Sequence, residues 1–145
     1  MAIFLLLILL AVLSVWIYNK DFRTPQTKAR DIHGLNERAR AGDMTAAYRL
    51  AAIYPDETLA EFYHLSLEWA LYVAKKELRP KLMLQIAEMY FRGAGTIKNT
   101  ERALTWYERA LKGDGLLGKK KVLAGEEIDY ITRRITALQP KEAKE

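Results

Sequence analysis

The chain has no cysteine among its 145 residues and only two histidines, His33 and His64. The first absence excludes a disulfide framework, a thiolate nucleophile and a cysteine-linked lipid anchor. The histidines stand apart from any metal-ligand spacing, so no metal site is expected. Nowhere does the chain alternate apolar and polar residues in the manner of a strand, which points to an all-α fold. Proline is rare, at four positions, of which Pro55 and Pro80 fall at apparent helix boundaries. Gly93-Ala94-Gly95 follows no strand and lacks the Gly-Lys-Ser/Thr of a phosphate loop, so phosphate binding is set aside. No carboxylate cluster has a basic or nucleophilic partner: Glu126, Glu127 and Asp129 suit the opening of a helix instead. Neither an enzyme nor a cofactor is expected.

The most conspicuous feature present is the uncharged run Ala2–Tyr18, AIFLLLILLAVLSVWIY. As a helix it spans about 26 Å, against a hydrocarbon core of roughly 30 Å. Trp16 and Tyr18 close it in the manner of an interfacial aromatic belt. A cleaved signal peptide would want basic residues ahead of the run and a small-x-small site after it, and SVWIYNKD offers neither. Residues 1–18 are therefore expected to be an uncleaved single-pass transmembrane helix in a cell inner membrane. Lys20, Arg23, Lys28, Arg30 and Arg38 follow the run and none precedes it, favouring a cytoplasmic domain. The net charge of +5 fits attraction to anionic lipid about as well as to nucleic acid. Residues 19–30, with Pro25 inside, read as a juxtamembrane linker.

Residues 31–138 read as a helical domain, and 139–145 as a frayed tail. A short helix ends at Gly42, a second spans Met44 to Tyr54, and Pro55 stops it. Thr58 and Glu61 form a T-x-x-E capping box that opens a long helix to Glu77. That helix carries two apolar stripes, one through Ser66, Ala70 and Val73 and one through Leu65, Trp69 and Tyr72, so it wants neighbours on both sides. Pro80 opens the next helix, Asn99 caps the one after it, and Ile128, Ile131, Ile135 and Leu138 share a face of the last. RLAAIY at 49–54 aligns with QIAEMY at 85–90, Trp69 with Trp106, and Gly42-Asp43 with Gly113-Asp114. A period in the mid-thirties with two helices per unit is a helical-repeat signature.

IAEMYFRGAGTIKNTERALTWYERAL, residues 86–111, resembles a Sel-one-like repeat, a branch of the tetratricopeptide-type solenoids. Tyr90, Gly93, Gly95, Ala103, Trp106, Tyr107 and Ala110 match the family pattern, while Ile86, Ala87, Thr96, Asn99 and Arg102 depart from it. With a degenerate unit at 46–74, where PDET replaces the glycine turn, the likeness covers about half the chain. It implies a short α-solenoid of antiparallel helix pairs with a C-terminal capping helix. It also implies that the first helix of each pair lines a partner-binding surface, on which Arg49, Lys81, Gln85 and Glu88 would lie. The expected function is a membrane-anchored adaptor that recruits partner proteins through its repeats. The alternative is a periplasm-facing, immunity-type inhibitor of the same repeat family. A protein or peptide partner is expected; nucleic acid is not, because no stacking aromatics interleave with Lys119–Lys121, and no small-molecule substrate is expected.

Overall fold

The computed structural model describes residues 1–21, 25–115 and 120–140. Seven α-helices and one 3-10 helix make up these residues, and no strand is present among them. The chain is all-α. In order the helices are α1 (Ala2–Asp21), α2 (Pro25–Arg40), α3 (Met44–Ala51), the 3-10 helix Glu57–Phe62, α4 (Tyr63–Lys76), α5 (Pro80–Arg92), α6 (Thr100–Gly113) and α7 (Gly125–Leu138). From α2 onward each α-helix packs against the next in sequence.

The expected transmembrane anchor is corrected. Among the described residues, no helix is long and apolar enough to cross a membrane, which conflicts with a single-pass inner-membrane protein. The last residues of α1 are Asn19, Lys20 and Asp21, so its length exceeds its apolar stretch. That stretch, at about 26 Å, is shorter than a hydrocarbon core of roughly 30 Å. Large side chains along α1, from Ile3 and Phe4 to Leu13, stand exposed, whereas the buried core side chains of the described residues lie at Ile32 or beyond. Deleting residues 1–21 is therefore expected to leave the thermal unfolding temperature within about 3 °C of the full chain, measured by circular dichroism. A larger fall would show that α1 supports the fold. Part of the expected linker is also helix: α2 begins at Pro25, where the missing N–H removes no intrahelical bond.

Helix α3 starts on Asp43, whose carboxylate accepts from the Ala46 N–H at 3.1 Å and is gripped by Arg38 through Nε at 3.0 Å and Nη2 at 2.6 Å. The backbone donor and the guanidinium hold the Asp43 carboxyl below its ordinary pKa. Ala46, Ala47, Leu50 and Ala51 form its buried face. It ends at Ala51 rather than Tyr54, for a definite reason. The Ala51 carbonyl would accept from the N–H of residue 55, and Pro55 has none. Ser66 Oγ at 2.8 Å and Gln85 Nε2 at 2.7 Å donate to that carbonyl instead, and Tyr54 N–H donates to Ser66 Oγ at 3.2 Å. One orphaned carbonyl thus ties α3 to both α4 and α5.

The expected capping box at Thr58 is also corrected. Asp56 is the cap, accepting from Thr58 N–H at 3.0 Å and from Thr58 Oγ1 at 2.7 Å. With the hydroxyl donated backward, the chain makes the 3-10 helix Glu57–Phe62, and α4 starts only at Tyr63. Both stripes of α4 find partners: it packs on α3 and on α5, with Ser66, Leu67, Trp69, Ala70 and Val73 buried. Trp69 Nε1 donates to Asn36 Oδ1 at 2.9 Å, tying α4 to α2.

The turn between α5 and α6 follows the sequence reading. Gly93 and Gly95 adopt φ of 73° and 72°, and Asn99 caps α6 by accepting from Arg102 N–H at 2.9 Å. The Gly95 backbone lies directly against the start of α4, since a Cβ there would sit 2.4 Å from the Tyr63 carbonyl carbon. Helix α7 buries Ile131, with Ile128, Ile135 and Leu138 partly buried against the same core.

Candidate functional site

The four residues expected to share a binding surface have different surroundings in the fold. Gln85 is turned inward onto the Ala51 carbonyl. Lys81 reaches toward Glu127 of α7 at 3.8 Å. Glu88 is the hub of a network joining α5, α6 and α7. Of the four, only Arg49 lines the open groove described below.

The Glu88 network comes from side chains on three helices. Glu88 Oε1 accepts from the hydroxyls of Tyr107 on α6 and Tyr130 on α7, the latter at 2.5 Å, and Oε2 accepts from Arg92 Nε at 3.0 Å. Arg134 Nε donates to the Tyr130 hydroxyl at 2.9 Å, and its guanidinium lies 4.2 Å from the Phe91 ring centre. The Glu88 side chain is only 13% exposed. Burial pushes its carboxyl up, but the hydrogen bonds from Tyr107, Tyr130 and Arg92 outweigh that push and hold the pKa below the ordinary value. Burial, then the carboxylate it faces, drives the Tyr107 phenol far above the usual range. A carboxylate with two phenol donors and a guanidinium already in place has few acceptor sites left. Its chemistry is that of a clamp which docks α7.

The groove is lined by α2, by Arg49 of α3 and by residues between Ala52 and Leu59. It encloses about 720 Å³. Arg30, Arg38 and Arg49 stand around it with Asp31 and Asp56, and Leu35, Ile53 and Leu59 supply apolar surface. Asp56 is occupied by the 3-10 helix cap: the Thr58 hydroxyl and N–H hold its carboxyl below the ordinary pKa and therefore ionised at neutral pH. Arg38 is committed to Asp43. Arg49 makes no hydrogen bond, ion pair or ring contact among the described residues.

Two of these arrangements had no signal in the sequence. Glu88, Tyr107 and Tyr130 come from three helices, so no local spacing announces them. Residues of the groove around Arg30 and Gly34 fall on α2, partly within the stretch read as linker. Lys119, one end of the basic run considered for nucleic acid, lies outside the described residues, as does Arg23. Among the described residues, no group of three His, Asp or Glu side chains is placed to hold a metal.

Among the described residues the geometry defines an all-helical protein with an open, arginine-rimmed groove and an internal carboxylate clamp. No protein-family model, no curated protein and no solved structure matches the chain.

Proposed function

We propose that this protein is a protein–protein interaction module of the helical-repeat type, an adaptor that holds a segment of a partner protein. The observation that carries this reading is the groove between α2, α3 and the Asp56 turn, about 720 Å³ with a charged rim and an apolar floor. A volume of that order accommodates a few side chains of an extended segment. The repeat character has its own support. Leu50 and Ile86, paired at the shift seen in the sequence, are both fully buried, and Ala51 and Ala87 are both buried beside them. Equivalent positions on α3 and α5 thus carry the same packing role, as stacked units of one kind require.

Ala52 is exposed within the groove, and Thr105 is exposed on α6 away from it. A photocrosslinking amino acid placed at Ala52 in cells is expected to give discrete protein adducts that disappear on Arg49→Glu. The same probe at Thr105 is expected to give none. Identical adduct patterns from the two positions, insensitive to Arg49→Glu, would remove the groove as the docking site.

A further inference from the structure

Gly34 sits in the interior of α2, where glycine costs about 1 kcal/mol relative to alanine. Nothing in the structure requires it. Its backbone is ordinary helix, and a Cβ built there would meet no atom within 4 Å. No neighbouring helix approaches it closely, so packing does not explain the missing side chain. What the missing side chain leaves is space, and that space belongs to the groove, whose wall Gly34 forms. Glycine at such a point admits close approach of another backbone.

Across the groove stands Arg49, a guanidinium with five N–H donors and no acceptor among the described residues. Arg30 on the same rim is likewise without one. Of the two groove carboxylates, Asp31 has an interaction of its own and Asp56 is held by its own helix cap. Planar guanidinium groups pair bidentately with carboxylates and are the side chains best suited to recognising them. Leu35, Ile53 and Leu59 line the same groove, surface that favours an aliphatic side chain over a sugar or a base. Among the described residues no aromatic ring lines the groove, and so none there offers a stacking platform for single-stranded nucleic acid.

Resting on the adaptor reading above, we infer that the partner segment is an acidic peptide: its backbone crosses Gly34, an aliphatic side chain sits on Leu35 and Ile53, and a neighbouring carboxylate pairs with Arg49. Gly34 sets the space and Arg49 sets the charge. The pairing is at a solvent-open rim, so binding is expected to weaken as salt is raised.

The test uses the full chain panned against a displayed library of random peptides, followed by fluorescence anisotropy of an enriched peptide. Enrichment of sequences combining Asp or Glu with Leu, Ile or Val is expected. Affinity should fall about tenfold or more, roughly the loss of one good charge-assisted contact, on Arg49→Gln and on Gly34→Gln. Lys81→Gln, off the groove, should leave it unchanged. Gly34→Gln fills the groove while improving helix propensity, so its unfolding temperature should equal or exceed that of the parent. Enrichment of basic or purely apolar peptides, tighter binding of oligouridylate than of any peptide, or affinity indifferent to both groove variants would each overturn the inference. Failure to enrich any peptide would overturn it too. In that case, adducts at Ala52 that depend on Arg49 would leave the adaptor reading standing and remove only the acidic segment.

Discussion

Gly95→Ala is expected to destabilise the protein by about 4 kcal/mol or more, lowering the thermal transition by roughly 15 °C. Two costs combine. At φ of 72° an L-residue pays about 1–2 kcal/mol in backbone strain. The new Cβ would also lie 2.4 Å from the Tyr63 carbonyl carbon and 2.5 Å from both the Tyr63 oxygen and the His64 nitrogen. Those are backbone atoms at the first turn of α4, which cannot rotate away as a side-chain tip can. Relief requires the α5–α6 turn to lift off α4, and with it part of the packing of Tyr90 and Ala87. Gly42→Ala is the control, because Gly42 has φ of 100° but nothing within 4 Å of its Cβ position. It should cost only the strain, about 1–2 kcal/mol. Equal losses in the two variants, measured by chemical denaturation, would show that close approach to α4 is not what requires Gly95.

Glu88→Ala is expected to cost roughly 3 kcal/mol and to loosen α7 before the rest of the fold. It strips the acceptor from the hydroxyls of Tyr107 and Tyr130 together, and Tyr107 is fully buried. Hydrogen exchange should therefore speed up in α7 while amides of α3 and α4 stay protected. Uniform acceleration across all helices would sink the clamp as a local device. The pH dependence has a definite sign. The folded Glu88 pKa lies below the ordinary value, so its contribution is fully present above the unfolded carboxylate range near ~4.3 and is lost as pH falls through the folded value. Between about pH 5 and pH 3, wild type should lose more stability than Glu88→Gln, which carries no titrating group at that site. The capping carboxylates Asp43 and Asp56, also held below their ordinary values, titrate equally in both proteins and cancel in the comparison.

How far the sequence carries the structure is clearest at particular residues. Asn99, Pro80 and the two glycines of the α5–α6 turn did in the structure what their chemistry implied, because caps, N1 prolines and positive-φ glycines act within a few residues of themselves. Thr58 did not: Asp56 stood two residues ahead and took the Thr58 N–H and hydroxyl as its own donors. Ala2–Tyr18 invited a membrane span on composition, and the helix it forms is not long and apolar enough to cross one. Exposed apolar side chains along α1 remain a physical fact about the chain, but the buried core begins only at Ile32.

Hydrophobic periodicity alone determined that this protein is all-α, where most of its helices lie, and which faces of α3, α4, α5 and α7 turn inward. Those are properties of a repeat of about 3.6 residues, and every one of them is local. The tertiary structure decided what the polar side chains on the partly covered faces do. Arg49, Lys81, Gln85 and Glu88 look alike as exposed positions on a helical wheel. Only the placement of α4, α6 and α7 turned Gln85 onto the Ala51 carbonyl, gave Glu88 its two phenols, brought Lys81 toward Glu127 and left Arg49 facing an open groove. Partners that come from different helices are chosen by packing, and packing is summed over the whole fold rather than written at any one position.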